Sequence, residues 1–302
     1  MRPCNVCIGW MGSLQICELE SNQIPIVTDW SRREGFAPGL GDIEIYRHTD
    51  RQGLWIAWLD QEPIGCIAGV RYNPDYGFIG LYLVVPHQRG HGYGQQLWKH
   101  ALDHLSDLTC IGLEAAPARI LDYAGWGFEA SSLTTRWSCF NESNSEDLWG
   151  DLPPGLKVVK GSSVPSDAVQ LYDAQRELSP RPHFLADWLG HQSGQVLTLF
   201  DDKGNCHGFG RIRPCLLQEG EGWRIGPLLA DSPELAAYLI RNLQQRHPGV
   251  LLIDTPGFNP AVEELMATLG FTAQSETMRM YRGGLPNVDL SDVFALACLE
   301  LG

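Results

Sequence analysis

The sequence predicts a mixed α/β (α+β) protein made of two related domains, each with a mixed central sheet flanked by helices. The length, an internal repeat and the alternation of β-like and helical segments lead to this prediction. The chain has 302 residues, and domains of about 150 residues are common, so two domains are expected. Its 44% of hydrophobic residues supplies enough apolar side chains for two cores.

An internal repeat relates the two halves of the chain. WGFE, which ends one helical stretch, has a counterpart in LGFT, which ends another. Phe128 and Phe271 of these matches are separated by the same number of residues as Gly65 and Gly208, which end two polar turns. A third match, between two buried strands, keeps the order with nearly the same offset. Two copies of one domain are therefore predicted.

Each copy is predicted to begin with two helices, which are followed by two antiparallel strands. The helices of the first copy are IPIVTDWSRREGF and GDIEIYRH, and those of the second are AVQLYDAQREL and RPHFLADWL. The strands lie within 53–72 and 195–214, where apolar and polar residues alternate around turns that are rich in Gly, Asp and Asn.

A buried strand, an amphipathic helix and a closing strand–helix–strand unit complete each copy. The buried strands are expected at 78–85 and 224–230. The amphipathic helix of the first copy has apolar side chains at helical spacing, namely Leu97, Trp98, Ala101, Leu102 and Leu105. The closing unit is TCIGLEA, ARILDYAGWGF and SLTTRWS in the first copy, and VLLIDTP, NPAVEELMATLGF and TMRMYRG in the second.

The predicted domain boundaries follow from changes in composition. We expect a flexible tail at 1–13, a first domain at 14–138, a polar and aperiodic linker at 139–156, and a second domain at 157–302. Cys4 and Cys7 form a lone C-x-x-C in the tail, for which a zinc or redox site and a disordered segment are both open. Met11 is an alternative start to Met1.

The charge and the cysteines restrict the class of protein. The formal net charge is −14, so the chain lacks the basic surface of a general nucleic-acid binder. An acidic field favours cationic partners such as amines. No apolar run is long enough to span a bilayer, and the amino terminus does not resemble a signal peptide. Nine scattered cysteines are typical of reduced thiols, so a cytoplasmic protein with no membrane or nucleic-acid partner is expected.

A glycine-dense loop between a predicted strand and a predicted helix carries the clearest sign of chemistry. It is VVPHQRGHGYGQQLW at 84–98. Glycines let the backbone approach a ligand, and N–H groups at a helix amino terminus bind phosphate. Arg89 adds positive charge. A dinucleotide-binding G-x-G-x-x-G does not fit, because Gln95 stands at its last glycine, and the sequence lacks the Gly-Lys-Ser/Thr of a P-loop.

Two motifs together carry a family resemblance. The pattern R-x-x-G-x-G runs from Arg89 to Gly94 after a strand that ends in V-x-P, and Tyr123 begins a Y-x-x-x-G-F that closes at Phe128. With both motifs, the sequence resembles the GNAT family of acyl-CoA N-acyltransferases over 14–138. It also resembles the tandem type of that family. The resemblance implies two GNAT-like domains and acetyl-CoA (coenzyme A) as cosubstrate, with no metal.

The resemblance implies roles for individual residues of the first copy. The pyrophosphate of coenzyme A would lie on the glycine loop. Backbone N–H groups near Val84 and Val85, freed by a bulge, would polarise the thioester carbonyl. Tyr123 would protonate the leaving thiolate, with a core or cap tyrosine as the alternative. The implied coenzyme-binding residues are Val84, Val85, Arg89, Gly90, His91, Gly92, Tyr93 and Gly94.

The acceptor side has several candidate residues. Glu114 follows a strand near the expected cleft and is the candidate base, with an exposed strand-end glutamate as the alternative. Glu34 and Asp42 flank the loop EGFAPGLGD and are candidates for binding an ammonium group, although a helix cap is the alternative for Asp42. Tyr82 is either a cleft residue or a packing residue.

The second copy departs from both motifs. At the place of the glycine loop, Asp231 and Glu234 put negative charge where a pyrophosphate would lie, and Met266 stands at the place of the tyrosine. We therefore expect the second copy to keep the fold without binding coenzyme A in the usual manner. It is expected to pack against the first copy and to form a wall of the acceptor cleft. Asp254 and Asn259 are candidates for polar contacts or for structural roles.

The leading hypothesis is an N-acetyltransferase that transfers an acetyl group from acetyl-CoA to a primary amine of a small molecule, by direct attack in a ternary complex. A non-catalytic acyl-CoA sensor is one alternative, and an acetyltransferase of protein lysines or amino termini is another. The identity of the acceptor, the acyl length and the oligomeric state (monomer or homodimer) are open at this point.

Overall fold

The computed structural model describes residues 14–142, 150–257, 259–286 and 289–301. These residues form one sheet of thirteen strands with eight α-helices. The predicted tail 1–13, including Cys4, Cys7 and Met11, lies outside the described residues, as does part of the predicted linker.

The described part of the first half contains six strands and four α-helices. The strands are β1 (Gln15–Glu18), β2 (Leu54–Leu59), β3 (Glu62–Arg71), β4 (Tyr76–Val84), β5 (Cys110–Ala115) and β6 (Glu129–Asn141). The helices are α1 (Ile24–Arg33), α2 (Asp42–Thr49), α3 (Tyr93–His104) and α4 (Ile120–Ala124). The predicted amphipathic helix is α3, which buries its apolar face against the sheet.

The second half repeats this order of elements and adds one strand. Its described strands are β7 (Leu156–Lys160), β8 (Gln195–Asp201), β9 (Cys206–Leu216), β10 (Glu221–Ala230), β11 (Gly249–Pro256), β12 (Thr272–Arg282) and β13 (Val293–Ala295). Its described helices are α5 (Ser166–Ala174), α6 (Pro182–Gly190), α7 (Pro233–Gln244) and α8 (Val262–Thr268). The predicted mixed α/β class is confirmed. Among the described helices, none is both long and apolar enough to cross a membrane.

Each copy begins with a short strand that the sequence analysis did not predict. Strands β1 and β7 pair antiparallel with β2 and β8, and they lie near the two ends of the sheet. They have 4 and 5 residues. Neither run, QICE or LKVVK, shows the strict alternation of apolar and polar residues on which strand prediction depends.

The central parallel strands of each copy are paired over a short stretch only. Strands β4 and β5 are in register up to Ile79 and Leu113, and β10 and β11 up to Ile225 and Ile253. Beyond these residues the two strands of each pair separate. A cleft can therefore form at the carboxyl ends of the parallel strands, which is the usual place for ligands in open α/β sheets.

The two copies exchange their last strands. In the sheet, β12 of the second half lies between β5 and β6 of the first, and β6 pairs with β11 of the second half. The register places Arg279 opposite Glu114 and Arg136 opposite Asp254. Because each half supplies a strand to the other, neither half has a complete sheet alone. The boundaries that we predict from the sequence do not anticipate this exchange.

The segment 296–301, which follows β13, packs against the first half. Tyr72 Oη donates a hydrogen bond to the carbonyl of Leu301 at 2.8 Å. Cys298 is fully buried and shares one apolar core with Tyr46 of α2 and Trp188 of α6. The carboxyl-terminal part of the second copy is thus built into the core of the first.

Candidate active site

A cleft of about 870 Å³ opens where β4 and β5 separate. A bulge in β4 contributes to it, since the register against β3 shifts between Cys66 and Ala68. Leu81 in this bulge has a φ of 47°, which is unusual for a residue other than glycine. The cleft is lined by eight of the residues that the sequence predicts for the site: Glu34, Tyr82, Val84, Arg89, Gly90, Gly94, Glu114 and Tyr123.

The glycine loop leaves its backbone open toward solvent at two positions. Gly90 and Gly92 both have a φ of +81°, in the left-handed region, and no atom lies within 4 Å of the place that a Cβ would take at either residue. Gly92 directly precedes α3, whose first N–H groups have no partner within the helix. The loop therefore fits a phosphate group, which needs close approach of backbone donors.

Gly94 is required for a different reason. A Cβ at this position would lie 2.5 Å from the hydroxyl of Tyr82. Glycine thus lets the first turn of α3 approach Tyr82 on β4. His91 and Tyr93 of the same loop are placed outside the lining of the cleft, and their rings stack on each other with centroids 5.9 Å apart.

Arg89 connects the glycine loop to two other parts of the cleft. Its Nε donates to the carbonyl of Val84 at 2.8 Å, and its Nη2 lies 2.6 Å from Glu34 Oε1. Glu34 directly follows α1 and is predicted to bind the amine, but in this structure its carboxylate is paired with Arg89. The pair joins the glycine loop to the residue that follows α1.

The backbone N–H groups of Val84 and Val85 differ in availability. Val85 N donates to the carbonyl of Ile64 at 2.9 Å, so the ladder with β3 uses this group, and Val85 does not line the cleft. Successive residues of a strand direct their N–H groups to opposite edges. The Val84 N–H therefore faces the side from which β5 has separated, and of the two predicted donors only Val84 suits an oxyanion.

Tyr123 is held in an aromatic cluster at the cleft. Its ring centroid is 4.9 Å from that of Trp98, which is also near Tyr82 at 5.6 Å and Trp126 at 6.3 Å. Burial, together with the nearby Tyr82, raises the pKa of Tyr123 to about 12. The phenol is thus protonated at neutral pH and has a proton to donate. Sequence reasoning assigned Trp98 only to the core and did not consider Trp126.

The Glu114 side chain is buried and accepts three hydrogen bonds. It is 3% exposed. Oε1 accepts hydrogen bonds from Thr134 at 2.8 Å and from Arg279 Nε at 2.6 Å, and Oε2 accepts one from Thr277 at 2.8 Å. Neither the free base nor the exposed strand-end residue that the sequence suggests describes this arrangement, because three donors from β6 and β12 surround the carboxylate.

Asp42 lies away from the cleft. It is buried at the start of α2, where Arg213 of the second half binds both carboxylate oxygens, at 2.7 and 2.8 Å, and the N–H of Gly39 donates at 3.1 Å. Burial acts to raise the pKa of Asp42, but Arg213 outweighs it and the pKa lies below its usual value. A carboxylate with these partners has no oxygen left for an ammonium ion, so Asp42 joins the two copies.

At the place of the glycine loop, the second copy has a hydrogen-bonded carboxylate. Asp231 accepts hydrogen bonds from Tyr172 at 2.7 Å and from Arg176 at 2.9 Å, and His207 Nδ1 lies 2.7 Å from it. Met266 is fully buried. These side chains fill the positions where the first copy has its open loop and its tyrosine.

Asp254 and Asn259 have structural partners. Asp254 is bound by Arg136 and Arg224 in the interface between the copies. Asn259 donates to the carbonyls of Ser291 and Val293. Within the described residues, no group of three or more His, Cys, Asp or Glu is arranged to hold a metal ion.

The second copy contributes residues to the cleft that sequence reasoning missed. They come from β12 and from the carboxyl-terminal segment, and they are Ser275, Glu276, Thr277, Leu299 and Glu300. No local motif marks these residues. Only the strand exchange and the return of the chain to the first half bring them to the cleft.

Comparison with known proteins agrees with this architecture. A model described as an acetyltransferase (GNAT) domain matches residues 169–295, and one described as an acetyltransferase (GNAT) family matches residues 17–120. The two matched segments lie in the two halves of the chain, and together they cover most of it.

Relatives match along nearly the whole chain. A holothin acyltransferase of Pseudoalteromonas sp. (strain SANK 73390) is 28% identical over 279 residues, which are 92% of this chain and 90% of that protein. A solved structure from Pyrococcus horikoshii, with a provisional acetyltransferase assignment, is similar with a TM-score of 0.78 at 20% identity, and both chains are covered in full.

A tandem arrangement is also found among the structural neighbours. The tandem GNAT protein of the clavulanic acid biosynthesis pathway is similar with a TM-score of 0.63 at 15% identity, over 91% of this chain and 100% of that one. At such identity the likeness concerns the fold. The family models and the fold together establish that this chain belongs to the GNAT acyltransferase family and carries two GNAT domains in tandem.

Proposed function

We propose that the chain is an N-acetyltransferase that transfers the acetyl group of acetyl-CoA to a primary amine of a small molecule, by direct attack in a ternary complex. One observation carries the proposal: Tyr123, a phenol with a pKa of about 12, lines the same cleft as Arg89, Gly90 and Gly94 of the glycine loop. Acyl transfer from a thioester needs a proton donor near the coenzyme, and Tyr123 would supply one beside the loop that we propose to hold the pyrophosphate.

The glycine loop is the proposed place of the coenzyme. The open backbone at Gly90 and Gly92 and the start of α3 suit a pyrophosphate. Arg89 is the basic side chain of the loop. Its guanidinium is paired with Glu34, another residue that lines the cleft, and an incoming phosphate would compete with Glu34 for it. Acetyl-CoA, as a substrate, supplies the activated thioester.

The first copy supplies the groups that act on the thioester. The N–H of Val84 faces the gap between β4 and β5 and would donate to the oxyanion that develops on the carbonyl. Tyr123 would protonate the leaving sulfur. The buried Glu114 positions β12 against β5 in this proposal and is not the base, because Arg279, Thr134 and Thr277 occupy its oxygens.

The cleft favours a small acceptor over a protein. Its volume of about 870 Å³ is in the range of sites that enclose small molecules. Glu276 of β12 adds an exposed carboxylate to the wall, which suits a cationic amine together with the net charge of −14. Holothin, for which the Pseudoalteromonas relative is named, belongs in any set of acceptors to be tested.

A panel of amines with acetyl-CoA, followed by release of the coenzyme A thiol, tests the proposal. We expect release that depends on one class of small amine and on acetyl-CoA. Binding of coenzyme A in calorimetry without release across the panel would instead indicate a sensor. Release that occurs only with peptides bearing a lysine or a free amino terminus would indicate a protein acetyltransferase.

A further inference from the structure

The proposed reaction needs a group that takes a proton from the amine, and Glu114 is not free to do so. The cleft contains a second buried carboxylate, Glu300, which the sequence analysis did not consider. Glu300 belongs to the carboxyl-terminal segment of the second copy, and it lines the cleft together with Tyr123 and Val84.

The backbone of Glu300 lies where the two central strands begin to separate. It packs on Gly80, where it occupies the space that a Cβ would need. Gly80 directly follows Ile79, the last residue of β4 that is paired with β5. Glu114 follows Leu113, the last paired residue on the other strand. Glu300 and Glu114 thus flank the same point. The Glu114 carboxylate accepts three hydrogen bonds, whereas Oε2 of Glu300 accepts none from a described residue.

Hydrogen bonds on both sides of Glu300 fix its segment. Leu296 N donates to the carbonyl of Asp254 at 2.8 Å, and Arg213 Nη2 donates to the carbonyl of Ala297 at 2.9 Å. Beyond Glu300, the carbonyl of Leu301 accepts a hydrogen bond from Tyr72 at 2.8 Å. These hydrogen bonds fix the backbone on both sides of Glu300, and so they fix the point at the cleft from which its side chain extends.

The Glu300 carboxylate has unused capacity to accept hydrogen bonds. The residue is 7% exposed, its Oε2 is buried, and no described residue donates a hydrogen bond to its carboxylate. Arg224 Nη1 lies 3.6 Å from Oε2, whereas its Nη2 lies 2.6 Å from Asp254. A buried carboxylate without hydrogen bonds is unfavourable, so a donor that enters through the cleft would be stabilised there.

Arg224 is the charged neighbour of Glu300. Tyr46 on α2 and Cys298 in its own segment also interact electrostatically with Glu300. Burial raises the pKa of both, that of Cys298 to about 12, so both are neutral near neutral pH. Arg224 also pairs with Asp254, and it therefore balances the charge of Glu300 only in part.

We infer that Glu300 is a catalytic carboxylate that binds the acceptor amine and takes its proton. This inference rests on the proposed function. Glu300 accepts the proton that the nitrogen loses as the C–N bond to the acyl carbon forms and the C–S bond breaks. Tyr123 gives its proton to the sulfur, and water carries the proton from Glu300 back to Tyr123. The second copy then supplies one catalytic group of the active site.

The test compares Glu300→Gln and Glu300→Ala with Asp254→Asn, which removes a carboxylate from the same Arg224 outside the lining of the cleft. We expect kcat/KM for the best amine to fall about 100-fold or more in both Glu300 variants. In the two Glu300 variants, coenzyme A binding in calorimetry and the midpoint of thermal unfolding should stay near the wild-type values. Asp254→Asn takes a counter-charge from the buried Arg136 and Arg224, and its unfolding midpoint should fall. Added formate should raise the activity of Glu300→Ala at least about tenfold over that of the same variant without formate. It should not change the activity of Asp254→Asn.

The outcomes separate the inference from the proposed function. A wild-type protein that releases no thiol with any amine overturns the proposed function itself. An active wild type with kcat/KM of Glu300→Gln within about threefold of it overturns the role of Glu300 alone. A loss of activity with a lowered unfolding midpoint and no rescue by formate makes Glu300 a structural residue, which overturns the inference as well.

Discussion

Arg279 of the second copy and Glu114 of the first are bound to each other across the exchanged strands, with 2.6 Å between Nε and Oε1. They lie opposite each other in the register of β12 and β5. Their side chains are 8% and 3% exposed, so both charges are taken out of water. The pair therefore links the two copies at the wall of the cleft.

Removal of one partner of this pair should destabilise the protein strongly. Arg279→Met leaves the Glu114 carboxylate buried without its counter-charge, which costs about 3–5 kcal/mol in comparable sites. Urea unfolding measures the change. Arg33→Met, which removes an exposed partner of Asp29 on α1, is the matched control and should change the unfolding free energy little. Equal effects of the two variants would mean that the buried pair is not what joins β12 to β5.

Gly92→Glu should abolish coenzyme A binding. The substitution strains a residue with φ of +81° and places a carboxylate where the pyrophosphate is proposed to lie. Gly204→Glu is the matched control, since Gly204 in the β8–β9 turn has a φ of +87° and equally open surroundings. Both variants should lose about 1–2 kcal/mol of unfolding free energy. Calorimetry should show loss of coenzyme A binding only in Gly92→Glu. Equal binding by the two variants would show that the coenzyme does not bind at this loop.

Tyr123→Phe should lower kcat by about 100-fold while the KM for acetyl-CoA changes little. The phenol is the proposed proton donor, and its ring packing with Trp98 is retained by phenylalanine. Tyr238→Phe on α7 is the control for loss of a hydroxyl elsewhere. Steady-state kinetics with the amine found in the panel gives the comparison, and a kcat near that of the wild type would make Tyr123 a packing residue.

The raised pKa of Tyr123 has a consequence for the pH dependence. A tyrosine with a pKa of about 12 keeps its proton through about pH 10, where an ordinary tyrosine is half ionised. The ratio of the wild-type kcat to that of Tyr123→Phe should therefore be constant up to about pH 10 and fall only toward pH 12. A ratio that has already halved near pH 10 would show that the phenol titrates normally.

The exchanged strands should hold the two halves together without a covalent link. A protease site placed within 143–149 cuts the chain between β6 and β7. After cleavage, the halves should elute as one species in gel filtration and keep their activity, because β12 lies between β5 and β6. A fragment that ends at residue 142 lacks β12 and should not fold alone, as judged by circular dichroism. Separation of the cleaved halves would contradict the exchange.

The residues that sequence reasoning placed in the cleft belong mostly to local motifs. Arg89, Gly90 and Gly94 lie in one loop whose conformation depends on glycine, and Tyr123 lies in a short motif at the end of a helix. Such features depend on neighbours in the sequence, so they can be recognised from the sequence alone, before the tertiary structure is known. The carboxylates behave differently, because a residue type does not reveal which cation is nearby.

Asp42 and Glu114 illustrate this limit. Asp42 is a candidate from the sequence for binding the amine and Glu114 for the base, and each is bound by an arginine of the other copy, Arg213 and Arg279. Glu300, in contrast, has no motif around it and reaches the cleft because the chain returns to the first half after β13. Whether a carboxylate accepts hydrogen bonds from an arginine depends on contacts between residues that are far apart in the sequence.

The sequence by itself determined the family, the duplication, and the copy that retains the glycine loop and the tyrosine, since glycine and ring positions follow from local backbone requirements. Only the tertiary structure decided how the copies share strands and which residues complete the cleft. The physical reason is that strand pairing and burial of charge depend on long-range contacts, which put Arg279 beside Glu114 and left the Glu300 carboxylate without a hydrogen bond from any described residue.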